Sequence, residues 1–560
     1  MKKILQRDFS RRWYLFILAA LFVLRVLLAS PQDIFILPDA SSMDDALMFR
    51  AAQTVTAGAW MGPYSWVAAG KHMFFAVWLA FLHALHIPYV AGGQLLYTLA
   101  ALAALAAAAP LLKKNWARLL VFCAVAFSPV SWASFTLRVY RDNIFPALCL
   151  FFFAGMLGFM LRRGQPVKKG LPWALLGGLG LGLAWLTRED GAWLLPFAGA
   201  AAAFYLLVVL RTDEKKRQKL WRALLCAVPF AGLAACICLY SFVNLQFYGR
   251  FMVSDFTSKE FNDAYGALTR IHTGEPVLRV PVTYQDRLSL YAVCPEAAEL
   301  GETLDNGSYY NGFGDAESRQ FNAGGFYWAL RRAVNDMGYY RDAQTAKTYY
   351  EQLAAAVNKV CDDGLIPGCG PKRSGTVTPF HPSYLTPTLQ EMGRSFKMLL
   401  LFEDTAPYMD EMSSGKPTVQ QEWEDYLYTG CTRVAAEGAD TPYRNWFQSL
   451  CAGALQAVAW GMRILIWPAL FLAFWQLGRD AKQVFQSWRR REKAAGLLPA
   501  VLQLGLLLCV VLRVAMISYV EVSSFGIGTY LMYLSSAAPP LLLFAGLGSA
   551  GWLQRLAEKA

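Results

Sequence analysis

The chain has 560 residues, 56% of them hydrophobic and 14% aromatic, with a net charge of +12 and a mean hydropathy of +0.31. That is more apolar residue than one soluble core uses, which excludes a simple soluble globular protein and makes a membrane the natural solvent for the surplus. The basic residues sit in short clusters between apolar runs, so the positive charge reads as a topology signal and argues against nucleic acid as a partner.

The first dozen residues carry five basic side chains and precede an apolar run from Trp13 to Ala29. No small-residue cleavage site follows directly, so the run reads as a retained first helix. Further spans are expected at about 91–112, 118–136, 143–161, 171–187, 191–210, 222–244, 452–476, 498–519 and 526–549. Met73 to Ile87 is also apolar, but it is short for a span and carries His72, His83 and His86 at its ends.

Charge parity settles how that stretch is read. If it does not cross, the segments on the side of the N-terminus hold 26 of the 52 basic residues against six acidic ones. The positive-inside rule then places both termini in the cytoplasm of what reads as a bacterial plasma membrane. The segment 245–450, with 18 basic and 26 acidic residues and no long apolar run, falls outside. The expected protein is all-α and polytopic, with about ten transmembrane helices. An N-terminal membrane module over 1–244 includes a first outer loop at 30–90, a mainly helical extracytoplasmic domain over 245–450 is inserted between helices seven and eight, and the last helices occupy 451–560.

Cys361 and Cys369 flank a Gly- and Pro-containing loop of a size that a disulfide closes; the alternative is free buried thiols. No cysteine spacing reads as a zinc site, and there is no phosphate loop, His-Glu-x-x-His or Gly-x-Ser-x-Gly motif.

An ion at membrane depth costs several kcal/mol unless paired or hydrated, so charges outside the basic clusters and the 245–450 segment are informative. They gather on the outer side. Asp33, Asp39, Asp44, Asp45, Arg50 and Lys71 lie in the first outer loop, Arg138, Arg141 and Asp142 in the second, Arg188, Glu189 and Asp190 in the third, and Glu521 in the last. Arg25, Arg463 and Arg513 fall within spans, either snorkelling to outer headgroups or joining the loop charges around a lipid phosphate.

Two loops carry patterns with two readings each. In Ser42-Met-Asp-Asp, either a Ser at the helix start with Asp in the first turn forms a capping arrangement, or the two carboxylates divide the work of orienting or deprotonating an acceptor and holding a substrate hydroxyl or a cation. Leu186-Thr-Arg-Glu-Asp-Gly follows a helix with Gly177, Gly178, Gly180 and Gly182, which lets neighbouring helices approach closely. Its charges either mark a solvated hairpin turn or belong to a site.

Taken in order, these motifs resemble the GT-C superfamily of polytopic glycosyltransferases, in the manner of protein mannosyltransferases and lipid A aminoarabinose transferases. Asp44 and Asp45 stand where that family has an acidic pair, commonly Asp-Glu, and Lys71 stands before a partly embedded helix. Phe127-Ser-Pro followed by Arg138 to Asp142 resembles its second outer loop, and Leu186-Thr-Arg-Glu-Asp-Gly resembles its Leu-Thr-Arg-Pro-Glu-Gly turn. Thr529 stands where a late Arg-Tyr helix usually has Arg, and Arg513 is the candidate to substitute for it.

The resemblance implies transfer of a sugar from a polyprenyl-phosphate donor to a cell-envelope glycan, lipid or protein acceptor at the outer face, with inversion. Asp44 and Asp45 would be catalytic, and Lys71, Arg138, Arg141, Asp142, Arg188, Glu189, Asp190 and Arg513 would bind substrate. No cofactor is expected; a divalent cation bridging Asp45 and Asp142 is the variant that the resemblance leaves open. The rival readings are a transporter or flippase of lipid-linked glycans and a non-enzymatic membrane assembly protein. No internal repeat supports the former.

Overall fold

The computed structural model describes residues 6–212, 215–434, 440–490 and 496–558. Parts of the basic clusters at the N-terminus, at 211–222, at 479–493 and in the C-terminal tail lie outside the described residues. Among the described residues nine helices are long and apolar enough to cross a membrane, or ten if one bent pair is a single span. The protein is an all-α polytopic membrane protein.

In chain order the helices of the N-terminal module are α1 (Arg11–Ala29), α2 (Asp45–Thr56), α3 (Phe74–Ala84), α4 (Tyr89–Ala108), α5 (Asn115–Ala126), α6 (Phe145–Leu161), α7 (Val167–Thr187), α8 (Leu195–Leu210) and α9 (Lys216–Tyr248). The 11 residues of α3 rise about 16 Å, half of a hydrocarbon core of about 30 Å. Its flanking histidines are anchors: His83 stacks on Tyr426 with ring centres 4.1 Å apart, and His72 is buried with Nδ1 at 2.5 Å from the Trp185 carbonyl.

The expected span at 118–136 is bent by 47° between α5 and the turns that follow. Pro129 lacks an N–H and disfavours helical backbone at Ser128, so the helix stops there. Arg25, fully buried in α1, takes the freed end: its Nε donates to the Ala126 carbonyl at 2.7 Å, and its Nη2 donates to Gln94 and Ser131, both at 2.8 Å. Arg25 thus neither snorkels nor joins the loop charges. Arg463 also stays apart, donating to the Phe402 carbonyl at 2.8 Å.

The glycines of α7 do permit close approach. A methyl group at Gly155 of α6 would collide with the Gly177 backbone, and one at Gly178 would meet the Pro229 carbonyl of α9 at 3.0 Å.

The insert is helical, with α10 (Lys259–Leu268), α11 (Tyr284–Tyr291), α12 (Pro295–Leu304), α13 (Ala323–Asp336), α14 (Ala343–Asp362), α15 (Leu385–Leu401) and α16 (Pro417–Leu427), plus a two-stranded ribbon pairing Gly314–Asp315 with Gln320–Phe321. It has two parts. Residues from Phe261 to Ile366 build a core of their own, whereas Leu399, Phe402, Trp423, Tyr426, Leu427 and Cys431 belong to the core of the membrane body. Trp423 of α16 stacks on Phe49 of α2 at 3.9 Å. Cys361 and Cys369 form a disulfide with Cα atoms 5.6 Å apart.

The chain returns through α17 (Trp446–Arg489), α18 (Leu497–Val520) and α19 (Ala538–Glu558). The last span begins at Leu531 rather than 526 because Gly526 and Gly528 adopt positive φ, and the Gly528 N–H donates to Glu521 at 2.6 Å instead of continuing a helix.

Candidate functional site

Asp44, and not Ser42, occupies the N-cap position of α2 and makes no capping hydrogen bond, while Asp45 falls in the first turn. The Asp44 carboxylate instead pairs with the Lys71 ammonium and accepts a hydrogen bond from the Tyr140 hydroxyl at 3.1 Å. Asp45, one residue on, faces the other way into the protein. Its side chain is 0% exposed, and both of its oxygens accept from Arg138 Nε, at 2.9 and 2.7 Å. Burial raises the Asp45 pKa, and the Arg138 hydrogen bond opposes the rise.

Behind this pair lies a second layer of charges. Arg188 donates to both oxygens of Asp142, at 2.7 and 2.9 Å, and to Asp190 at 2.9 Å. Asp190 also accepts from Arg513 of α18 at 2.7 Å. Arg141 donates to both oxygens of Glu189 at 2.8 Å, and Glu189 accepts the His72 backbone N–H at 2.8 Å. The charges of the Arg188–Asp190 loop are therefore paired within the protein rather than marking a solvated turn.

All ten residues singled out from the sequence meet in this one cluster, with five cations against five carboxylates. The balance is what makes so many buried ions tolerable. Asp45 and Asp142 each engage an arginine with both oxygens, and among the described residues no group of three or more His, Cys, Asp or Glu side chains is placed to hold a metal.

Asp44 is the most open carboxylate of the five, its side chain 38% exposed against 0% for Asp45, 1% for Asp142, 15% for Glu189 and 24% for Asp190. Lys71 beside it is 12% exposed, and burial, then the Arg141 charge, pushes its pKa well down.

Three aromatic residues belong to the site without having been singled out. The Tyr140 ring lies 5.1 to 5.6 Å from Lys71, Arg138 and Arg141, Tyr533 lies 5.4 Å from Arg188, and Trp328 of the insert lies 5.4 Å from Lys71. Tyr533 stands three residues after Tyr530 of the late motif, and Tyr530 itself is 52% exposed. Thr529, at the position where the family usually has an arginine, leaves its buried hydroxyl without a partner among the described residues, while Arg513 reaches the cluster.

No family model and no curated protein matches this sequence. Among solved structures it is similar to two crystal structures of ArnT from Cupriavidus metallidurans. The apo form shows 13% identity and a TM-score of 0.31 over 97% of this chain and 77% of that one. The form bound to undecaprenyl phosphate shows 12% identity and a TM-score of 0.31 over 98% and 78%. A likeness at that level carries no inference about chemistry.

Proposed function

We propose that this protein is an inverting glycosyltransferase of GT-C type that moves a sugar from a polyprenyl phosphate to a cell-envelope acceptor. Its site would face outward from a bacterial plasma membrane, with both termini cytoplasmic. The observation that carries the reading is the open Asp44 carboxylate beside Lys71 and Tyr140, backed by arginines whose own carboxylates hold them in place. The order of the sequence motifs supports it, and so does the accumulation of basic residues on the opposite side of the membrane.

The donor phosphate takes the Lys71 ammonium from Asp44 and so frees that carboxylate. An acceptor hydroxyl or amine attacks the anomeric carbon on the face away from the phosphate. The new bond forms as the bond from that carbon to the phosphate oxygen breaks, the electron pair leaves on the phosphate, and the acceptor proton passes to Asp44. Lys71, with Arg141 and Arg188 behind it, stabilises the charge gathering on the leaving phosphate, and Arg513, buried and paired with Asp190, supports that layer. Asp45, its side chain buried, holds Arg138.

Purified protein in lipid, offered a panel of polyprenyl-phosphate sugars and envelope acceptors, tests this. Transfer should occur with at least one donor, and Asp44→Asn should lower it by about 10²-fold or more. A correctly inserted Asp44→Asn protein that transfers sugar at the parental rate would sink the mechanism. Donors that all stay intact would favour the transport or assembly readings.

A further inference from the structure

Helix α13 of the insert faces the first outer loop with Tyr327, Trp328 and Arg331, residues one and four positions apart on a helix. The Tyr327 hydroxyl donates to the Gly70 carbonyl at 2.6 Å, and Arg331 donates to the Trp66 carbonyl at 2.9 Å through Nε and at 2.6 Å through Nη2. Arg331 is fully buried and pairs at 3.2 Å with Asp255, whose own backbone N–H donates to the Ala69 carbonyl at 2.8 Å. The carbonyls of residues 66, 69 and 70 are thus held by the insert immediately before Lys71. Trp328 then lies against Gly70 so closely that a methyl group there would meet its ring at 3.1 Å. Its ring centre is 5.4 Å from the Lys71 ammonium, and that of Tyr140 is 5.6 Å away.

We propose that Trp328 is a positioning residue for Lys71, so that the insert and the membrane body build the lysine seat jointly. The proposal rests on reading Lys71 as the phosphate-binding cation. An indole face attracts an ammonium and not a neutral amine. The seat needs that preference, because Arg138, Arg141 and Arg188 oppose a charged lysine, against the favourable charges of Asp44 and Glu189. The Tyr140 hydroxyl, 3.4 Å from Nζ, completes the polar groups around it.

The test measures the charge state of Lys71 without any glycosyl transfer. Full-length protein in lipid nanodiscs is labelled with limiting acetic anhydride from about pH 6 to 11, and acetylation of the Lys71 peptide is followed by mass spectrometry. Trp328→Ala and Trp328→Leu should lower the labelling midpoint by about half a unit to one unit, whereas Trp328→Phe, which keeps a π face, should stay near the parental value. Parental midpoints for both Ala and Leu would overturn the proposal, as would a Phe variant that moves as far as Leu. A shifted midpoint in a protein that transfers no sugar would support the seat and count against the sugar-transfer reading, which separates the two failures.

Discussion

Asp33 lies just beyond α1, where Gln448 donates to its carboxylate at 3.0 Å and Gly430 closes over it. Burial raises its pKa from 3.8 to about 6, against the lowering effect of the Gln448 hydrogen bond. A raised carboxyl pKa means that the folded state holds the proton more tightly than the unfolded chain does. Stability is therefore full below about pH 4 and declines as pH rises through about 6. Asp33→Asn removes that loss, so thermal unfolding in detergent should show a higher Tm at pH 7.5, on the order of 2 °C per kcal/mol recovered, and no gain at pH 4. Equal gains at both pH values would show that titration of Asp33 is not the cause. At this scale the ions of the site were legible because charge at membrane depth is rare, and all ten candidates converge. Which acid stays open was not, since that depends on Arg138 reaching Asp45 across 93 positions of sequence. Tyr140, Tyr533 and Trp328 were hidden among 26 tyrosines and 18 tryptophans that carry no pattern of their own.

At the scale of the elements, the long apolar runs announced themselves by length, and the short α3 by its lack of it. The bend after α5 has Pro129 as its local signal, but the Arg25 side chain that supports it comes from another helix and left no mark beside it in the sequence. The glycines of α7 were readable as a close-packing surface, though not their partners, Gly155 on one side and Gly232 on the other. Adding a methyl group where two backbones touch forces them apart. Gly155→Ala should therefore destabilise the protein by about 1–3 kcal/mol, while Gly199→Ala, with open space around it, should be neutral or slightly stabilising. Thermal unfolding of the two variants side by side checks this; equal effects would show that the α6–α7 contact tolerates the extra atom.

For the molecule as a whole, the segment 245–450, read from charge and hydropathy as one outer domain, contributes residues to two separate cores. Composition does not distinguish them, because α15 and α16 are amphipathic helices that pack on the membrane body while looking as polar on average as the separate core before them. The Cys361–Cys369 bridge lies in the first piece, so its loss should act locally. Cys361→Ser should cost that piece about 2–3 kcal/mol, seen as faster protease cleavage within 251–375 under mild denaturant with the membrane body intact. Uniform loss of stability across the chain would show instead that the two pieces unfold together.

The backbone of Ile34 pairs with Gly430 and Thr432, and Ser414 reaches Ile36, so the segment leading into the acidic pair is pinned by residues translated nearly 400 positions later. A ribosome feeding this chain into a membrane delivers Asp44 early and its buttress late. Until the second piece of the insert has emerged, the nascent protein carries its charged residues without the scaffold that aligns them. Assembly of the cluster therefore waits for residues 413–432 and, later still, for Arg513, which pairs with Asp190, so a chain truncated before 413 should lack both the pinned segment and that ion pair.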